Sequence, residues 1–120
     1  MAYYKLGVIE SRFADIIWDN EPISTAKLVE MCLKELNWKR TTTYTVLKRL
    51  CDRGIFQTVD STVTSLVSRD DFTSSQSELF IDESFGGSLP AFLAAFTKNK
   101  KLSKEEISEI RKMISEYDAH

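Results

Sequence analysis

Ile9, Phe13, Ile16 and Ile17 stand at i, i+4, i+7 and i+8, the spacing that gathers side chains on one face of an α-helix, and predict an amphipathic helix over Glu10–Asp19. Pro22 in "NEPIS" stops that path, Ile23 reads as one extended residue, and Ser24 is a good N-cap. A second stripe of Leu28, Val29, Cys32, Leu33 and Leu36 predicts a helix over Thr25–Leu36, with Asn37 suited to cap its C-terminus. A third helix runs from about Thr41 to Arg53 and ends at Gly54, a residue type that tolerates left-handed backbone. The period then shifts toward two. "IFQTVDSTVTSLVS" holds two short runs rich in Val, Ile, Phe and Thr around "DST", a hairpin with strands at Phe56–Val59 and Val63–Val67.

After Ser68 the pattern turns helical again. Ser68 with Asp71 reads as a capping box opening a helix from Arg69 to about Glu83, which stops at Gly86 and Gly87. Ser88 caps the next, with Pro90 tolerated in its first turn. Ser103 with Glu106 caps the last, whose face is Ile107, Ile110, Ile114 and Tyr117. Phe72, Leu79, Phe80, Phe85, Leu89, Phe92, Leu93, Phe96, Ile107, Ile110 and Ile114 are a heavy apolar load for so short a segment, because a single core of about 50 residues is marginal. Pairing with the same segment of a second chain would bury it. The expected organisation is therefore a first domain over 1–68 and a helical dimerisation region over 69–120, against the plainer alternative that the arm folds back on its own domain.

Composition narrows the function. At 120 residues, 42% hydrophobic and 28% charged, the chain is of ordinary globular type rather than disordered. No long apolar run occurs and "MAYYKLGVIE" lacks a leader-like stretch, so a cytoplasmic protein without membrane insertion is expected. Cys32 and Cys51 form no C-x-x-C pair and read as small buried hydrophobes, and the one histidine is His120. No metal, cofactor or enzymatic chemistry is indicated: no acid pair or activated nucleophile stands out, and Glu10, Asp15 and Asp19 read as the solvated face of the first helix. The net charge of −2 hides an asymmetry. Residues 1–68 hold nine Lys/Arg against eight Asp/Glu, and residues 69–120 hold seven against ten. Lys39, Arg40, Lys48, Arg49 and Arg53 cluster with only Asp52 among them, and such a patch can meet phosphates locally, within a Debye length of about 8 Å.

Three helices, a basic third one and a hairpin are the order of a winged helix-turn-helix domain, giving a mainly α (α+β) fold with a C-terminal helical arm. On a helical wheel Thr43, Val46, Leu47 and Leu50 form the core face of the third helix, while Thr41, Tyr44, Thr45, Lys48 and Asp52 face away and Arg49 lies at the edge. Hydroxyls, an aromatic ring and cations suit a DNA groove. Lys39 and Arg40 precede the helix, where its N-terminal N–H groups also favour a phosphate. Taken singly, Thr41 is a reasonable N-cap and a Lys-Arg pair is commonly just solvated. The rival function is a winged-helix protein-interaction module without DNA binding, suggested by the acidic pI and a wing without cations.

"ADIIWDNEPISTAKLVEMCLKELNWKRTTTYTVLKRLCDRGIF" also resembles the penicillinase-repressor (BlaI/MecI/CopY) family of bacterial regulators, through Ile17-Trp18, Trp38, Thr42 with Thr45, and Arg49-Leu50 to Arg53-Gly54. The likeness continues through "LVSRDDF" and "GGSLPAFLAAF" to the last helix. It implies a homodimeric repressor on an inverted-repeat, double-stranded DNA operator, controlling resistance or stress genes, with DNA contacts at Lys39, Arg40, Thr41, Thr42, Tyr44, Thr45 and Lys48. Arg49, and Ser61 and Thr62 in the wing, are further candidates from the residues themselves. A membrane sensor protease is an implied inducer, yet Ala95-Phe96 stands where the family pattern has Asn-Phe. The Cys-x-Cys pairs of copper-responsive members are missing too. The wing "QTVDSTVTS" carries only Asp60, where family wings commonly carry Lys or Arg.

Overall fold

Caps and turns written into the sequence set most of the element ends. The computed structural model describes residues 6–119; His120 and the first five residues of "MAYYKLGVIE", the stretch expected to lack a leader, lie outside them. The elements are α1 (Val8–Asn20), β1 (Ile23–Ser24), α2 (Thr25–Leu36), α3 (Arg40–Asp52), β2 (Phe56–Val59), β3 (Thr62–Ser65), α4 (Arg69–Phe85), α5 (Leu89–Asn99) and α6 (Lys104–Asp118). They fall into two compact units, one running to Leu79 and the other from Phe80. That boundary differs from the expected break after Ser68, because the first turns of α4 are anchored to the winged helix.

The first unit is a winged helix. Its core gathers Phe13, Ala14 and Ile17 of α1, Leu28 and Cys32 of α2, Leu47 and Leu50 of α3, and Ile55, Phe56 and Val63 of the hairpin. Each large apolar side chain fully buried there contributes about 1.5–3 kcal/mol. The sheet has the order β1-β3-β2, all antiparallel, with Ile23 opposite Val63 and Phe56 opposite Ser65. Asp60 and Ser61 turn the hairpin with φ of 51° and 58°, the two-residue turn that matches strand twist. The Glu21 carboxylate closes the other end, its Oε1 accepting from the Ser65 N–H and hydroxyl at 2.8 Å each.

Several ends differ from the sequence expectation for local reasons. α1 starts at Val8, two residues early, because Glu10 reaches back to the Gly7 N–H at 3.4 Å. α3 starts at Arg40 with Lys39 at the N-cap, so Thr41 lies inside the helix and is not its cap. β3 stops at Ser65 rather than Val67: Leu66 and Val67 donate to the Ile55 carbonyl at 2.8 and 3.2 Å, and the Val67 carbonyl accepts from the Trp18 indole at 3.0 Å. α4 reaches Phe85, and Gly86 and Gly87, at φ 56° and 84°, break it.

Trp18 joins the wing to the start of α4. Its ring lies 5.4 Å from Phe56 and 5.3 Å from Phe72, so Phe72 is buried in the first unit and does not belong with the arm's free apolar surface. The second unit centres on rings instead: Phe80, Phe85 and Phe92 meet edge to face at 5.6–6.1 Å, and Phe96 lies 5.8 Å from Phe92. No residue of α5 or α6 is buried.

Candidate nucleic-acid interface

The turn between α2 and α3 is held by geometry that only a few residue types supply. Asn37 takes left-handed backbone at φ 55°, its N–H donating to Leu33 at 3.1 Å, and the next N–H, of Trp38, donates to Cys32 at 3.2 Å. Trp38 then stacks on Phe13 of α1 with ring centres 5.4 Å apart. α3 is seated by its inner stripe, and the buried residues are the four expected, Thr43, Val46, Leu47 and Leu50. Thr43 is the polar member. Its buried hydroxyl has no nitrogen or oxygen partner among the described residues and faces the Cys32 thiol, a weak partner, whose pKa burial pushes up while the Thr43 hydroxyl pulls it back.

Thr41, Thr42, Tyr44, Thr45, Lys48 and Arg49 are exposed along the outer face, as are Lys39 and Arg40 at its start. The N-cap Lys39 offers no side-chain acceptor, so the first N–H groups of α3 are not taken by a cap. The Arg40 guanidinium lies over the Tyr44 ring at 5.5 Å, which keeps the cation beside the aromatic. The Thr45 hydroxyl donates back to the Thr41 carbonyl at 2.8 Å, leaving its methyl and an acceptor lone pair for an outside group. Lys48 is 3.1 Å from Asp52 in an open pair that water screens heavily.

Arg49, a candidate DNA contact, is engaged within the chain. Its Nη1 lies 3.4 Å from Glu10 Oε2, so the guanidinium bridges α3 to α1. Glu10 is thereby more than a solvated acid, and Asp15 and Asp19 are likewise engaged, both by Arg69. In the wing, Ser61 is at the turn and its carbonyl accepts from the Thr25 N–H at 2.9 Å. Thr62 is not at the tip: it is half-buried in β3, opposite Val59 and Ser24.

Two residues the sequence reading passed over adjoin the outer face. Thr25 and Thr58, with Tyr44, Leu47, Lys48 and Cys51, line a shallow depression of about 310 Å³. Tyr44, Leu47, Lys48 and Cys51 share one helical edge, a signal visible in spacing, but Thr25 and Thr58 come from elements brought together only by the fold.

A winged helix-turn-helix that presents hydroxyls, an aromatic ring and cations on its third helix has the form of a DNA-binding regulator. Residues 6–116 match the family model described as penicillinase repressor, and the chain belongs to that family, whose members are bacterial transcriptional repressors and not enzymes. It is similar to the methicillin resistance regulatory protein MecI of Staphylococcus aureus strain Mu50, 27% identical over 116 residues, covering 93% of this chain and 94% of that one. MecI of Staphylococcus epidermidis is 26% identical over the same shares. A penicillinase repressor of Staphylococcus aureus is 23% identical over 93% of this chain and 92% of its own. No helix among the described residues is long and apolar enough to cross a membrane.

Proposed function

We propose that the protein is a homodimeric repressor of resistance or stress genes that binds an inverted-repeat operator, with α3 of each copy in the major groove of one half-site. The observation that carries this reading is the outer face of α3. Lys39, Arg40 and Lys48 serve phosphates, Thr41 and Thr42 supply hydroxyls, and Tyr44 and the Thr45 methyl meet base edges. Arg49, tied to Glu10, is assigned a supporting role, and Ser61 is the wing's contact in preference to Thr62. The wing adds little electrostatic attraction with Asp60 as its only charge.

The arm is assigned to dimerisation. Leu79, Phe85, Leu89, Phe92, Leu93, Phe96, Ile107, Ile110 and Ile114 supply its apolar surface, and Leu89 and Ile114 are 57% and 62% exposed in the single chain. The names of the relatives, methicillin resistance regulator and penicillinase repressor, support control of resistance genes. Ala95-Phe96 offers no asparagine to a membrane sensor protease that cuts between Asn and Phe, so release is assigned to another step.

Selection of bound fragments from genomic DNA tests the reading. Paired half-sites and a steep salt dependence are expected; binding that ignores both sequence and salt would overturn it. Lys48→Ala is expected to weaken binding to all sequences and lower the salt slope by about 1, whereas Tyr44→Ala relaxes preference at particular bases. Fluorescence anisotropy titrations read both effects. The rival interaction module, favoured by a wing without cations, predicts no nucleic-acid binding even at low salt.

A further inference from the structure

We propose that Arg69 is the positioning residue that sets which half-site spacing the repressor accepts, by locking the root of α4 to α1. The inference rests on the dimeric reading above. Arg69 is the first residue of α4, and its guanidinium is engaged from two sides. Nη2 lies 2.6 Å from Asp19 Oδ1 and Nε 3.3 Å from Asp15 Oδ1, while Nη2 also donates to the Asp15 carbonyl at 3.2 Å. The same group sits over the Trp18 ring at 5.6 Å. Trp18 in turn holds the chain on either side of Arg69, through the Val67 carbonyl and the Phe72 ring.

These contacts do not complete the hydrophobic core, and the side chains of Arg69, Asp15 and Asp19 are 43%, 56% and 60% exposed. Open ion pairs add little to stability. A planar guanidinium fixed by carboxylates one helical turn apart, with an aromatic face beneath it, does specify a direction. Lysine, a compact point charge, would not hold the same fork. At 1.5 Å per residue α4 is about 25 Å long, and a tilt of about 10° at its root displaces its end by about 4 Å. One base-pair step is about 3.4 Å. A loosened root therefore lets a dimer tolerate spacings that a fixed root rejects.

The test is selection from a randomised duplex library with the full-length wild type, Arg69→Ala, Arg69→Lys and Asp19→Asn, sequencing the bound pool for half-site and spacing. Sedimentation and circular dichroism of each variant check dimer mass and fold. The wild type is expected to return paired half-sites at one spacing. Both alanine and asparagine variants, and Arg69→Lys, which keeps the charge without the fork, are expected to return the same half-site with the preference for that spacing reduced about tenfold. Paired half-sites at one unchanged spacing in wild type and variants would overturn the role of Arg69 alone. Loss of half-site recognition in the variants, or a spacing preference kept in full by Arg69→Lys, would also overturn it. Absence of paired half-sites in the wild type would overturn the dimeric reading first.

Discussion

Thr43 and its neighbours in "TTTY" divide the work of one short stretch between inside and outside. Thr41, Thr42 and Tyr44 are exposed while Thr43 is buried with only the Cys32 thiol, a weak partner, beside its hydroxyl, a group whose desolvation costs about 1–3 kcal/mol when poorly matched. Thr43→Val keeps the shape and removes that hydroxyl; it is expected to raise unfolding stability by about 1 kcal/mol in urea titrations and to leave DNA affinity unchanged. Cys32 makes a pH prediction from the same contact. Its folded pKa is raised, so the unfolded chain gives up the thiol proton first, and stability is full below the ordinary value of 9.0 and falls as pH rises through the raised folded value. Cys32→Ala is expected to flatten that alkaline decline in melts from neutral to high pH. The wheel identified Thr43 as inward because helical spacing is local, whereas the pairing of Arg49 with Glu10 joins residues far apart in sequence and has no local signature.

At the scale of elements, legibility followed the density of signals. α2 was readable to the residue because stripe, N-cap and C-cap coincide in Ser24, Leu28, Cys32 and Asn37, and the Ser24 hydroxyl does accept from the Lys27 N–H. β1 was not, since a two-residue strand has no period and is defined only by its pairing with β3. The hairpin was recognised, yet Thr62 was assigned to its tip because the tight turn of Asp60 and Ser61 could not be told from a three-residue "DST" loop. That turn exposes Asp60 beside the proposed DNA surface. Asp60→Lys is expected to tighten binding severalfold at low salt and to steepen the salt dependence by about one phosphate contact, measured by anisotropy over a salt series.

For the molecule as a whole, the winged helix is self-sufficient while the arm holds few buried side chains. The composition change at Ser68 was visible in sequence, but the compact boundary at Leu79 was not, because Trp18 and Arg69 draw the start of α4 into the first unit. Ile114 is already exposed in the single chain, so Ile114→Asp is expected to spare folding and to weaken self-association at least tenfold in sedimentation equilibrium, since burying such a side chain contributes about 1.5–3 kcal/mol. Both tryptophans, Trp18 and Trp38, pack within the winged helix, one against Phe56 and Phe72 and the other against Phe13. Indole emission is therefore a private optical channel for the reading head, and the arm is dark in it. Melting curves by emission and by far-ultraviolet ellipticity superimpose if head and arm unfold as one, and part if the arm unravels first.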